Sequence, residues 1–222
     1  MSPTIVVSRY VAISKDARQV VVNGLSRAAQ FAQQQPGVTK YAITIPRDES
    51  DDRSCYVIEE YTDQAAYNSH FGSKAVADLT SLLSAGALLE IPASVSVFKA
   101  TSSFTRPETS NITDPFVLIA TFDYKENTRA GALDGWQDLT SAIFPTDPGT
   151  FVYTVAKDPM NADRVGSVAV YESEKYFWDT HVPNPAIGAN KAKYGDIRTK
   201  TDLAYFKIVG GYLINNTTHS KL

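Results

Sequence analysis

Two halves of this chain run through the same order of elements, and that repeat constrains the fold more than any single residue does. TIVVSRYVAIS (4–14), rich in β-branched residues, predicts a strand, and FVLIATFDY (116–124), 112 positions on, predicts another. Each is followed by a polar turn and a helical stretch, residues 16–34 and 129–144. Val20, Leu25, Ala28 and Phe31 recur near helical spacing in the first, as do Leu133, Trp136, Leu139 and Ile143 in the second. Both helices stop at a Pro-Gly pair, Pro36-Gly37 and Pro148-Gly149, where the chain is able to leave the helix and reverse. Two strands come next in each half, 38–46 with 54–61 and 150–158 with 164–172, across the polar loops RDESDDR and PMNADR. A helix with a histidine follows, His70 or His181, and a last strand at 93–101 or 204–214 closes the half.

Strand, helix, strand, strand, helix, strand is the ferredoxin-like βαββαβ motif. One such unit makes an antiparallel sheet with both helices on one face and leaves the other face in need of a cover. Two fused units cover each other sheet to sheet, so the expected fold is α+β, an intramolecular dimeric α+β barrel. The expected boundaries are 1–101 for the first half and 116–222 for the second. Residues 102–115, SSFTRPETSNITDP, are Ser-, Thr- and Pro-rich and read as the linker.

Composition then narrows the partners. With 24 acidic against 21 basic residues and a net charge of −3, the chain has no basic field for nucleic acid or an anionic membrane. A single cysteine, Cys55, excludes an internal disulfide framework and fits a reducing compartment. No window approaches the roughly 20 apolar residues that span a bilayer, and the opening residues read as a strand and not as a leader, so the expected location is cytoplasmic. Three histidines spread over three regions give no metal-ligand spacing, and the expectation is no metal and no cofactor. Gly210-Gly211 lies inside a strand and reads as a bulge or a close approach. Asn111, Asn215 and Asn216 match a glycosylation pattern that is common by chance, and His219 lies in a polar tail and is assigned no role.

The chemistry-bearing stretches are YVIEEYTDQAAYNSHF (56–71) and SVAVYESEKYFWDTHV (167–182), whose histidines stand 111 positions apart. In the first, Tyr67, His70 and Phe71 fall at i, i+3 and i+4 on one helix face; Trp178, His181 and Val182 do so in the second. Read functionally, His70 is a general base, since an imidazole with a pKa near 6.5 accepts a proton at neutral pH. Tyr67 or Tyr61 would hold a carbonyl or a developing oxyanion. Phe71, Trp178 and His181 are the expected substrate-contacting residues, aromatic walls that stack on a flat ligand. Read structurally, both histidines are partly buried helix residues satisfied by a backbone carbonyl or an acid across the sheet. Glu59 and Glu60 read as a solvated strand end, the alternative being a carboxylate that orients the imidazole. The 12 Tyr, 10 Phe and 2 Trp suit a pocket for a planar apolar ligand, although cores also consume aromatics.

EEYTDQAAYNSHF and VYESEKYFWDTHV, a strand ending in acid and aromatic before a histidine-bearing helix, resemble the antibiotic biosynthesis monooxygenase family of dimeric α+β barrels. The resemblance covers the chain as two copies, the second weaker. It implies a fused pseudo-dimer and, from anthrone oxygenases of aromatic polyketide pathways in secondary metabolism, O₂ chemistry without metal or flavin. Haem-degrading members carry a strand asparagine and a ligating histidine; Ser8 and Ala120 align with the first, Thr80 and Lys191 lie near the second, so haem is disfavoured. Anthrone oxygenases place an aromatic at the end of the third strand and a tyrosine early on the next helix, which Tyr61 and Tyr67 match. Glu172 and Trp178 align with those positions in the second half, so the first half is the expected site. The expected function is a cofactor-independent monooxygenase acting with O₂ on a small aromatic polyketide-like or phenolic substrate. The alternatives are a polyketide cyclase or other acid–base enzyme without O₂, and a non-catalytic small-molecule-binding barrel. A homodimer of the internal pseudo-dimer is left open.

Overall fold

A computed structural model describes residues 2–111 and 113–215. His219 and Asn216 lie outside the described residues. The elements run β1 (Thr4–Val11), α1 (Lys15–Ala32), β2 (Val38–Pro46), β3 (Ser54–Tyr61), α2 (Gln64–Phe71), α3 (Lys74–Ala85) and β4 (Ser94–Thr105). The same order then returns as β5 (Phe116–Tyr124), α4 (Arg129–Thr146), β6 (Thr150–Lys157), β7 (Arg164–Tyr171), α5 (Glu174–Tyr176), α6 (Pro185–Tyr194) and β8 (Arg198–Tyr212). A π-helical turn, Phe177–His181, joins α5 to α6. The hydrogen-bonded strand order β1-β3-β2-β8-β5-β7-β6-β4 closes on itself, which is the expected α+β class of the dimeric α+β barrel. By packing, one unit is Met1–Val97 with Ile208–Leu222 and the other is Phe98–Lys207. Each unit therefore includes the end of the other half's last strand, where the sequence pointed to a division at 102–115.

In the first unit, β3 pairs antiparallel with both β1 and β2. Polar turn residues start its helices: Ser14 Oγ accepts from the Ala17 amide at 3.1 Å, and Asp63 Oδ1 from the Ala66 amide at 2.9 Å. The face of α1 turned to the core carries Val21, Val22, Leu25, Ala28, Ala29 and Ala32, while Val20 and Phe31 face solvent. The expected stripe was thus one residue out of phase at both ends, because three consecutive valines leave the periodicity without a unique phase. The single histidine-bearing helix expected here is two helices, since the chain breaks at Gly72 and Ser73 caps α3 through a 3.4 Å bond to the Val76 amide. Gly211 adopts φ 81°, and a Cβ there would lie 1.9 Å from the Tyr41 carbonyl oxygen; the close approach read from Gly210-Gly211 is real and only glycine fits it.

In the second unit, β7 pairs with β5 and β6, β4 with β6, and β5 with β8. Phe116, Tyr171 and Ile143 are among its most deeply buried side chains, and the indole of Trp136 donates to Tyr124 Oη at 2.8 Å. Ser102–Thr105, expected as linker, belong to β4 and pair with Val152–Val155 of β6. Composition misled here: the segment is polar, yet alternate positions carry packing, and Phe104 stacks on Tyr153 with centroids 6.1 Å apart.

Candidate active site

The two histidines occupy related positions but not the same surroundings, and the backbone register shows which residues correspond. Thr4 faces Tyr61 across β1/β3, and Phe116 faces Tyr171 across β5/β7. The Thr62 amide bonds the Gly37 carbonyl at 2.8 Å, as the Glu172 amide bonds that of Gly149. Tyr171, and not Glu172, therefore stands where Tyr61 does; β6 and the loop after it are each one residue shorter than their counterparts, so a uniform shift misaligns everything beyond them. Counting from the helix caps Asp63 and Ser173, Phe177, and not Trp178, stands where Tyr67 does. The π turn, with the Val182 amide bonding the Phe177 carbonyl at 2.9 Å, then inserts one residue and brings His181 back to the place of His70.

In the first unit, this place opens on a cavity of about 560 Å³, within the range of small-molecule sites. His70 is 3% exposed, and Tyr61, Tyr67, Phe71 and Glu59 line the cavity with it. Its Nδ1 is bonded to the Gln35 side-chain oxygen, so Nδ1 donates and Nε2 is left facing Glu59 Oε1 at 3.4 Å. A proton between Nε2 and Oε1 satisfies both atoms; without one, two lone pairs oppose each other. Tyr61 also donates to Glu59. Burial first, and the negative charge of Glu59 second, push the hydroxyls of Tyr10, Tyr41, Tyr61 and Tyr212 well above the ordinary phenol value, which keeps them protonated. The rings are close: Tyr61 lies 5.7 Å from His70 and 5.5 Å from Tyr67, and Tyr67 stacks on Phe71 at 5.7 Å.

The strand end read as solvated is buried. Side chains alternate across a strand, so Glu59 points to His70 while Glu60 points the other way and pairs with Lys40 at 2.8 Å. Gln35 and Tyr41 were missed altogether, since they lie on a helix exit and on β2, far in sequence from the histidine motif.

In the second unit, Asp147 replaces Gln35, Ala169 replaces Glu59 and Phe177 replaces Tyr67. His181 Nδ1 donates to Asp147 Oδ2 at 2.6 Å, and its Nε2 lies 3.1 Å from Tyr171 Oη. Asp147 is fully buried and also accepts from Thr150 Oγ1 at 2.8 Å and Tyr176 Oη at 2.7 Å. Burial pushes its carboxyl up, but the hydrogen bonds from His181, Tyr176 and Thr150 outweigh this and hold it below the usual carboxylate value. Burial pushes the Tyr171 phenol far up. The rings of Phe177, Tyr171 and Tyr153 close around His181 at 4.6–6.0 Å. A separate cleft of about 230 Å³ in this unit lies between α4 and α6 and is not lined by His181. Trp178 is 48% exposed, against Phe177 and Tyr205. Neither Trp178 nor His181 lines the first unit's cavity, whereas His70, Tyr67, Tyr61 and Phe71 come together there.

Among the described residues, no three His, Cys, Asp or Glu side chains converge as a metal site requires, and no helix is long and apolar enough to cross a membrane. Residues 4–80 match the family model described as antibiotic biosynthesis monooxygenase. A solved structure of a candidate monooxygenase from Lactobacillus acidophilus is similar over 96% of this chain and 99% of its own, with TM-score 0.78 at 11% identity. One from Fusobacterium nucleatum is similar over 95% and 96%, with TM-score 0.79 at 14% identity. An anthrone oxidase-like protein is similar over 94% and 92%, with TM-score 0.64 at 10% identity. At these identities the likeness is one of fold. No curated protein matches the sequence.

Proposed function

The chain belongs to the antibiotic biosynthesis monooxygenase family in its two-domain form, and on that premise we propose that it is a cofactor-independent monooxygenase of a small aromatic, polyketide-like or phenolic substrate. The observation that carries the reading is the first unit's cavity, where the buried His70–Glu59 pair meets phenols and aromatic walls. The pair takes a proton from an activated CH₂ or a phenol of the bound substrate at His70 Nε2. Tyr67, with Tyr61 beside it, donates to the oxygen on which negative charge develops. The resulting anion is electron-rich enough to reduce O₂ directly. For a ring CH₂ the balance is one substrate and one O₂ giving a ring carbonyl and one water. One oxygen atom enters the carbon, and the second leaves with the two hydrogens. Stacking walls such as Phe71 keep the flat ring system in place and exclude bulk water.

Oxygen uptake with an anthrone tests this. Expected is one O₂ consumed per anthraquinone formed, with His70→Ala and Tyr67→Phe each lowering turnover by about 10²-fold or more, the scale of a lost acid–base group. Uptake no faster than the uncatalysed reaction would refute the oxygenase reading. The same acid–base pair also suits a cyclisation without O₂, and substrate loss without oxygen uptake would select that reaction instead.

A further inference from the structure

The distribution of charge around the cavity bears on which aromatic molecule fits. Two carboxylates line it, Glu59 in the floor and Glu90 at the rim, and no lysine or arginine does so among the described residues. Glu90 is paired with Arg53, which balances the rim. Among the described residues Glu59 has no lysine or arginine partner; what faces it is the His70 ring, at 3.4 Å. The nearest buried lysine along this strand pair, Lys40, is held by Glu60 on the opposite face of β3. The floor's remaining polar groups are hydroxyls, those of Ser8, Tyr10, Tyr41 and Tyr61, together with the His70 ring.

We propose that the cavity selects uncharged hydroxyaromatic ligands against their carboxylated congeners, with Glu59 as the residue that discriminates. This rests on the aromatic substrate of the proposed function and deepens it. A ligand hydroxyl has a proton to give and meets an acceptor in the Glu59 carboxylate. A ligand carboxylate has none, meets a like charge, and finds no lysine or arginine in the described wall to compensate its lost hydration, while the His70 ring is already engaged by Glu59. Tyr61 cannot fully offset this, because its hydroxyl already donates its hydrogen bond to Glu59.

The test is calorimetric binding, near neutral pH, of two stable ligands: a dihydroxyanthraquinone and the same molecule bearing one carboxylate. Neither is turned over, so binding is read apart from catalysis. The wild type is expected to prefer the neutral ligand by at least about tenfold, the modest end of what juxtaposed like charges cost. Glu59→Gln, of the same shape without the charge, is expected to bring the ratio towards one. Thr80→Lys, at an exposed helix position on the cavity wall, is expected to narrow it by strengthening binding of the carboxylate, and keeps the test open should Glu59→Gln fold poorly. Equal or tighter binding of the carboxylate by the wild type overturns the proposal, as does a ratio unmoved by either variant, or no binding of either ligand. Selective binding without oxygen uptake on the matching anthrone would leave the selectivity standing and remove the oxygenase reading. Equal uptake with neutral and carboxylated anthrones would do the reverse.

Discussion

Replacing His181 by alanine should cost stability and leave turnover nearly untouched, the opposite of the same change at His70. The imidazole at 181 links a fully buried carboxylate to a fully buried phenol, and three aromatic rings close round it. Removing it takes one of three donors from Asp147, leaves Tyr171 Oη without that partner, and opens a hole that rings of this stiffness cannot fill. Breaking a buried charged hydrogen-bonded pair by deleting one partner costs about 3–5 kcal/mol. In a chain of this size each kcal/mol moves the melting temperature by about 2–4 °C, so a drop of roughly 6–20 °C is expected. Thermal melting by circular dichroism, run beside oxygen uptake with an anthrone at a temperature where both proteins are folded, measures the two effects separately. A melting temperature within about 1 °C of wild type would show that the Asp147–His181–Tyr171 chain contributes little. A large loss of turnover in a normally melting protein would show that the working site had been assigned to the wrong unit.

Three further substitutions concern stability. Asp147→Asn should destabilise at neutral pH by roughly 1.5–3 kcal/mol, the worth of charged hydrogen bonds. The Asp147 carboxyl is held below its ordinary value in the fold, so its contribution is present above that value and is lost as pH falls through the depressed one. Urea midpoints should therefore differ most near neutrality and converge below about pH 4, and a gap independent of pH would count against the argument. Gly211→Ala should cost more than about 2 kcal/mol, because its Cβ would collide with the Tyr41 carbonyl at a backbone angle of φ 81°. Gly131→Ala, in α4 with nothing within 4 Å of the added carbon, should instead stabilise by about 0.5–1 kcal/mol, and equal effects of the two in chemical denaturation would refute the distinction.

Sequence by itself determined the order of the eight strands, their duplication, and the meeting of Tyr61, Tyr67, Phe71 and His70, because these follow from local periodicity and turn chemistry that act over a few residues. The helix that carries His70 begins at the polar cap Asp63. Tertiary structure decided the rest. A uniform shift set Glu172 and Trp178 opposite Tyr61 and Tyr67, whereas β6 and the loop after it are together two residues shorter than their counterparts and place Tyr171 and Phe177 there instead, the π turn then returning one residue to bring His181 to the place of His70. Glu59 and Glu60 are chemically identical neighbours in the sequence, and only the pleat of β3 sends one to His70 and the other to Lys40. The difference between a cavity beside His70 and a filled core beside His181 likewise depends on residues such as Gln35, Asp147 and Tyr153. They reach the imidazoles from other elements, and hydrogen bonding and close packing between distant segments leave no periodic trace along a chain.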